Sequence, residues 1–273
     1  MGLEYIDYYL LHALGQASYQ KAEQFHAFGF IQDLKAQGRV RHIGMSYHDK
    51  AELLDEILTA HPEMEYVQLQ LNYLDWEDAT VESRKCYEVC CKHGKPVIVM
   101  EPVKGGSLVN IPQDAVKLFQ SANSELSIAS WAIRFAASPG NVMMVMSGMS
   151  DLAQMQDNLS YMTDFQPLSP EEQTVIEKAT GIIKASIAIP CTACRYCVDG
   201  CPQNIAIPDY FAIYNNLKRF GTAQGIVAAT YYGNLIKGHG KPTDCIACGK
   251  CERVCPQHIA IRDELKRVAE ALE

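Results

Sequence analysis

The sequence predicts an α/β fold: a partial (β/α)8 barrel of about five βα units, followed by a mostly helical, cysteine-rich domain. Three observations predict it. Apolar runs that read as buried strands alternate with amphipathic helical stretches over the first 165 residues. The strand candidates are apolar on both faces, as a barrel interior or a doubly wound sheet requires. Eight of the 11 cysteines fall in one motif that occurs twice in the last third of the chain.

Taken in order, Tyr5–Leu11 reads as a buried strand, and Phe25–Gln37 as a helix closed by Gly38. Val40–Ser46 is the next strand. Lys50–Ala60 is a helix with Leu53, Leu54, Ile57 and Leu58 on one face. Tyr66–Leu71 is a strand, Val81–Lys92 a helix closed by Gly94, and Pro96–Glu101 a strand. Glu125–Ala137 is a helix broken at Pro139-Gly140, Val142–Met146 a strand, and Asp151–Met162 a helix opened by Ser150. No G-x-G-x-x-G follows any of these strands, so a Rossmann dinucleotide fold loses support. A full barrel needs eight units, and the chain starts almost on top of its first strand. The expectation is a barrel without its N-terminal part.

Three regions follow from this pass: a partial barrel over 1–165, a linker helix over 166–185, and a cluster-binding domain over 186–273. Pro167 and Pro170 mark the linker, and Ser169-Pro170-Glu171-Glu172 is a capping box with Pro at the first helical position.

The net charge of −8 argues against nucleic acid and anionic membrane surfaces as partners. The charge is uneven. Residues 1–185 hold 14 Lys/Arg against 24 Asp/Glu, and residues 186–273 hold 10 against 8. The opening residues Met1, Gly2, Leu3 and Glu4 carry neither a basic stretch nor an apolar core. The longest uncharged run, Phe220 to Ile236, is too short and polar to span a bilayer. The expected setting is cytoplasmic, because the cysteines group as metal ligands and not as a disulfide framework.

The first motif is Cys191-x-x-Cys194-x-x-Cys197-x-x-x-Cys201-Pro202, and the second is Cys245-x-x-Cys248-x-x-Cys251-x-x-x-Cys255-Pro256. Three thiolates at two-residue gaps wrap one face of a cubane, and the fourth turns away to the other cluster. Two [4Fe–4S] clusters follow. One takes Cys191, Cys194, Cys197 and Cys255; the other takes Cys245, Cys248, Cys251 and Cys201. A pair of zinc sites is the competing reading, but zinc favours two C-x-x-C pairs over a run of three plus one ending in Pro. The positive balance of residues 186–273 then offsets roughly four negative charges brought by two clusters with their thiolates. The 43 residues between the motifs leave room for helices over Asp209–Phe220 and Thr222–Leu235, with Ile213 and Leu217 facing inward. Ile205 and Ile207, and Ile259 and Ile261, follow the two motifs in matching places and shield the clusters. This domain resembles the helical dicluster ferredoxins fused to larger oxidoreductases.

In a parallel barrel, chemistry sits where strands end, here at His12, Ser46, Asn72, Met100-Glu101 and Ser147-Gly148. The stretch Tyr5-Ile6-Asp7-Tyr8-Tyr9-Leu10-Leu11-His12 resembles the fourth strand of the aldo/keto reductase family, which ends in its catalytic His. Gly38 to Ser46 resembles the fifth strand, with its nicotinamide-contacting Ser. Gln68 and Asn72-Tyr73 match the sixth strand, and Met100 to Gly106 the loop after the seventh. Ser147-Gly148-Met149-Ser150 through Asn158 matches the final cofactor loop and helix.

The resemblance implies a catalytic role for His12 and NAD(P)H contacts at Ser46, Gln68, Met100, Gly148 and Asn158. It implies a small carbonyl substrate. The family's general acid is a Tyr assisted by a Lys and an Asp from the first three strands, and this chain has no counterpart for them. The bland reading of His12 is a structural residue at a strand end. Cys86, Cys90 and Cys91 on one helix read as small apolar packing. Gly105-Gly106 reads as a phosphate contact or a plain turn.

Two functions stand side by side. One is an iron–sulfur oxidoreductase with NAD(P)H-linked carbonyl chemistry and an electron-transfer protein partner. The other is a non-catalytic electron carrier or redox sensor whose barrel remnant is a docking scaffold. An open barrel edge also implies self-association or pairing with a separately encoded N-terminal half.

Overall fold

The structure, a computed structural model, describes residues 2, 4–78, 81–220 and 225–273, and of residues 219, 220 and 225–227 the backbone alone. The chain divides into two compact units. The first comprises Met1–Lys104 and Leu118–Glu177, the second Gly105–Lys117 and Lys178–Glu273. The division falls inside the helix that the sequence marks as a linker.

The first unit holds a five-stranded parallel sheet in the order β1 (Ile6–Leu14), β2 (Val40–Tyr47), β3 (Tyr66–Gln70), β4 (Val97–Met100), β5 (Val142–Val145). Helices α1 (Gln16–Gln24), α2 (Ala27–Ala36), α3 (Ala51–Ala60) and α4 (Ser83–Lys92) fill the first three connections. Helices α5 (Gln113–Ala122) and α6 (Ile128–Ala137) precede β5, and α7 (Leu152–Met162) and α8 (Pro170–Ser186) follow it. Sequential order with helical crossovers is the arrangement of a barrel wall, with β1 and β5 as its edges. All five predicted strands are present.

The reasons are local. In α3, Leu53, Leu54, Ile57 and Leu58 are buried in the core of the unit, as their spacing requires. Gly38 and Gly94 end α2 and α4 at φ +72° and +63°, a region that costs a Cβ-bearing residue about 1 kcal/mol or more. The capping box at α8 forms in full: the Ser169 N–H donates to Glu172 Oε2 at 2.9 Å, and the Glu172 N–H donates to Ser169 Oγ at 3.2 Å.

Four details depart from the sequence reading. First, β1 runs on through His12 to Leu14, with a bulge after Leu11, so His12 lies inside the strand and not at its end. Second, the stretch before His26 is a separate helix, α1, because Ser18 Oγ accepts the Gly15 N–H at 2.8 Å and donates to the Ala13 carbonyl at 2.7 Å. Third, α5 occupies a stretch to which the sequence reading assigns no element. Fourth, Asp151 and not Ser150 caps α7: its carboxylate accepts the Gln154 N–H at 2.8 Å, while Gln154 Oε1 takes the Ser150 N–H at 2.7 Å.

The second unit is mostly helical, with α9 (Tyr196–Asp199), α10 (Ile207–Phe220), α11 (Gly225–Leu235), α12 (Lys250–Arg253) and α13 (Ile261–Leu272). The expected helix from Thr222 begins outside the described residues; its described part is α11. Tyr210, Phe211 and Tyr214 form the buried face of α10, while Ile213 and Leu217 are half-buried and line a cavity with Ala228, Tyr231 and Leu235 of α11. The three aromatic rings offer more apolar area to the core than the two aliphatic chains. That core also takes in Ile189, Ile205, Ile207, Ile259, Ile261, Leu265 and Val268. Among the described residues, no helix is long and apolar enough to cross a membrane.

Candidate functional site

Two cavities in the second unit are walled by cysteine sulfur. The first is lined by Cys191, Cys194, Cys197 and Cys255, with Ile207, Phe211, Ile259 and Ile261 around them. The second is lined by Cys245, Cys248, Cys251 and Cys201, with Pro202, Ile205, Ile207 and Leu265. Each cavity therefore gathers three sulfurs from one motif and the fourth from the other. The same crossing is felt electrostatically. Burial pushes the Cys197 thiol up to about 12, and the neighbouring thiols that add to this are Cys191, Cys194 and Cys255.

The backbone repeats along with the cysteines. Ala193 and Ala247 (φ +56° and +55°), Arg195 and Gly249 (+66° and +70°), and Asn204 and His258 (+51° and +50°) are all left-handed. Each pair is 54 residues apart. Left-handed residues alternating with ordinary ones turn successive N–H groups inward and form a concave anion-binding surface. The Ala193 N–H points at Cys191 Sγ at 3.4 Å, and the Ile205 N–H at Cys201 Sγ at 3.5 Å.

The four thiols of each cavity stand around its walls. Among the described residues, no group of three or more His, Cys, Asp or Glu side chains is arranged to hold a single metal ion. Soft sulfur donors, inward N–H groups and an apolar surround fit a polynuclear iron–sulfur cluster.

In the first unit, the strand ends are less uniform. His12 is exposed on β1. Ser46 is fully buried, and its hydroxyl oxygen accepts the Ala13 N–H at 2.7 Å, holding the β1 bulge. Gln68 and Met100 do come together, with Gln68 Nε2 donating to Met100 Sδ at 3.2 Å. Gly148 is exposed in the loop after β5. Asn158 is fixed by its own neighbours: its amide donates to Ser147 Oγ at 3.0 Å, and its carbonyl oxygen accepts the Tyr161 hydroxyl at 2.5 Å.

Two tyrosines near these ends, Tyr47 and Tyr73, are poor proton donors. The Tyr47 hydroxyl is donated to the Lys50 carbonyl at 2.5 Å, and burial pushes its pKa far up. Burial does the same at Tyr73, whose ring packs against Phe119 and Phe135. Cys86 and Cys90 are buried with raised pKa values, which suits packing and not reactivity.

The sequence reading missed a buried ion pair. Lys104 Nζ donates to Asp75 Oδ1 at 2.7 Å, with the two side chains 3% and 4% exposed. Asp75 Oδ2 accepts from Gln70 Nε2 at 2.8 Å and from Asn72 Nδ2 at 2.7 Å, and the Asn72 amide also reaches the Glu101 carbonyl at 3.1 Å. The only signal in sequence was a lysine beside two glycines.

An open parallel βα wall and a doubled cysteine cage define an α/β protein that carries an iron–sulfur type domain. The aldo/keto reductase family profile matches residues 1–180, and the 4Fe-4S dicluster domain profile matches residues 190–260. The chain belongs to the aldo/keto reductase family. Among solved structures it is similar to the aldo-keto reductase AKR11C1 from Bacillus halodurans in its holo form, with 24% identity and a TM-score of 0.51. The match covers 64% of this chain and 61% of that one. It is also similar to the thermostable aldo-keto reductase Tm1743 in complex with the inhibitor epalrestat, at 21% identity, a TM-score of 0.52, and 64% and 60% coverage. The chain thus spans about 60% of the length of the solved structures it matches. No curated protein matches it.

Proposed function

We propose that this protein is an iron–sulfur oxidoreductase that moves electrons one at a time through two [4Fe–4S] clusters in the cytoplasm, in exchange with a protein partner. The observation that carries the reading is the crossed lining of the two cavities. Cys191, Cys194, Cys197 and Cys255 would hold one cluster, and Cys245, Cys248, Cys251 and Cys201 the other. Each cluster, when bound, supplies a one-electron couple whose potential depends on burial and hydrogen bonds to sulfur. The residues of this chain do the tuning. Ile205, Ile207, Ile259 and Ile261 keep water off the sulfurs, and the inward N–H groups of Ala193 and Ile205 favour negative charge on them.

The test is Cys201→Ala in anaerobically reconstituted protein, read by iron content and EPR. The wild type should carry about eight irons per chain, and the variant should lose the cluster of the second motif. Loss confined to the first-motif cluster refutes the crossing.

A second reading, NAD(P)H-linked reduction of a small carbonyl, draws support from Gln68 of β3 standing against Met100 at the end of β4. In that reading Ser46, Gly148 and Asn158 flank the nicotinamide cofactor and His12 faces the substrate. A hydride carries two electrons and each cluster takes one, so the two chemistries need a mediator to meet. Adding NADPH anaerobically and following cluster absorbance separates them: bleaching supports linked chemistry, and its absence with intact dithionite reduction supports a pure carrier.

A further inference from the structure

We propose that the second cysteine loop, Cys245 to Cys255, is the docking face for a small acidic one-electron carrier protein, and that the first loop, whose Thr192 is covered by the chain itself and which carries no such cations, is not. The inference rests on reading the eight cysteines as cluster ligands, and it assigns the two repeats different jobs.

The repeat allows a comparison position by position. Thr192 and Ile246 occupy the same place, 54 residues apart. Thr192 is 6% exposed, whereas Ile246 is 60% exposed. Gly105, from the segment 105–117 of the same unit, lies so near Thr192 that an added Cβ would stand 2.4 Å from the Thr192 carbonyl oxygen. The glycine that the sequence left between a phosphate contact and a turn therefore serves close approach to the first cysteine loop. The second loop lacks such a cover. Cys248 is exposed where its counterpart Cys194 is half-buried, and at the exposed position of Gly200 the second loop presents the aliphatic Val254, 49% exposed.

Charge differs between the repeats in the same sense. Lys250 replaces Tyr196, and Arg253 replaces Asp199. Both cations are exposed, and neither has an ion-pair partner among the described residues. The acidic groups nearby are already engaged: Glu252 with Arg262, Asp263 with Lys266, Glu264 with Arg267, and Asp244 with the Lys241 N–H. Residues 241–267 hold six Lys/Arg against four Asp/Glu, whereas the equivalent stretch 187–213 holds one against two, so with the same charge on each bound cluster the second loop stays the more positive of the two. Two exposed aliphatic side chains beside an exposed ligand cysteine, rimmed by unpaired cations, make an apolar centre with a charged border. That is the anatomy of a transient protein interface, and its sign selects an acidic partner.

The test uses the full cluster-loaded chain and a plant-type [2Fe–2S] ferredoxin of acidic composition, with binding measured calorimetrically. Saturable binding is expected at about 20 mM salt, weakening at least about tenfold at roughly 0.3 M salt. Ile246→Glu and the double variant Lys250→Glu/Arg253→Glu should each weaken it by at least about tenfold. Tyr196→Glu, the equivalent change in the first loop, should leave affinity within about twofold. No saturable binding at low salt, an equal loss in Tyr196→Glu, or binding of the chain to anionic phospholipid vesicles in place of the ferredoxin overturns the proposal. Iron content and EPR accompany every variant. Lost binding with both cubanes retained supports the docking face, whereas a chain that holds no cubanes refutes the ligand reading instead.

Discussion

Lys104→Met is the most informative single change in the barrel unit. It removes an ammonium that lies 2.7 Å from Asp75 Oδ1 with both side chains almost fully buried. Deleting one partner of a buried pair costs about 3–5 kcal/mol, because the other charge stays behind without compensation. Here the Asp75 carboxylate keeps two amide donors, Gln70 and Asn72, so the expected loss is near the lower bound, about 3 kcal/mol. The pair also holds a strained loop. Glu101 and Lys104 sit at φ +58° and +50°, and left-handed non-glycine residues cost on the order of 1–3 kcal/mol each. Both tryptophans, Trp76 and Trp131, belong to the first unit, so urea unfolding followed by indole fluorescence reports that unit selectively. With a slope of about 2–3 kcal/mol/M, the midpoint should fall by about 1 M. In a double-mutant cycle with Asp75→Asn, the two losses should be far from additive, with a coupling of about 2 kcal/mol or more. A midpoint shift under about 0.2 M, or simple additivity, would show that the pair does not hold the β3 and β4 ends together.

Glu172→Gln should cost about 1–2 kcal/mol at pH 7, discounted because the carboxylate is 23% exposed while Arg134 holds it at 2.6 Å. The hydrogen bond from Arg134 holds the Glu172 carboxyl below the usual range. Its stabilisation is therefore present above the unfolded value of about 4.3 and disappears as pH falls through the lower folded value, so the two proteins should converge in acid. The chain alone should reduce aldehydes with NADPH slowly or not at all, since positioned acid catalysis contributes about 10²–10⁴-fold and Tyr47 and Tyr73 are both held as weak acids. Robust turnover abolished by Tyr47→Phe or Tyr73→Phe would contradict that. The edge strand β1 should exchange amide hydrogens faster than residues 245–268 of the cluster-loaded protein, and sedimentation should show concentration-dependent self-association. A monodisperse monomer with strong protection at Ile6–Leu11 would remove the open-edge argument.

What was legible in sequence tracks the range of the forces involved. The five strands and most helices were readable because burial imposes a local period, as at Leu53, Leu54, Ile57 and Leu58. That each cavity is lined by cysteines of both motifs agrees with the spacing, in which three cysteines at two-residue gaps leave the fourth turned away. Element ends were less readable where two candidate caps compete. At α7, Ser150 and Asp151 both could have served, and the carboxylate won as the stronger acceptor. The Lys104–Asp75 pair was illegible because neither residue has a local pattern; 29 residues and a strand separate them. The Ser46 hydroxyl accepts the Ala13 N–H beside the β1 bulge, a contact that apolar periodicity does not encode.

The near-identity of the two motifs concealed the difference between their loops, and the reason is physical. Spacing of cysteines specifies ligation, which the two motifs share, but it says nothing about what lies above each loop. Cover depends on a distant glycine: Gly105 meets Thr192, and no sequence rule pairs those positions. The intervening side chains carry the remaining information. Thr192 packs within the chain while Tyr196 and Asp199 stand exposed without a cation, whereas Ile246, Lys250 and Arg253 offer an exposed apolar centre and unpaired cations. A duplicated ligand set thus leaves its two copies free to diverge everywhere except at the sulfurs and at the left-handed positions that aim the N–H groups. Selection on electron exchange can act on one loop without disturbing the other. Substitutions at Ile246 or Lys250 should therefore change partner affinity while leaving the EPR signal of the first cluster as it was.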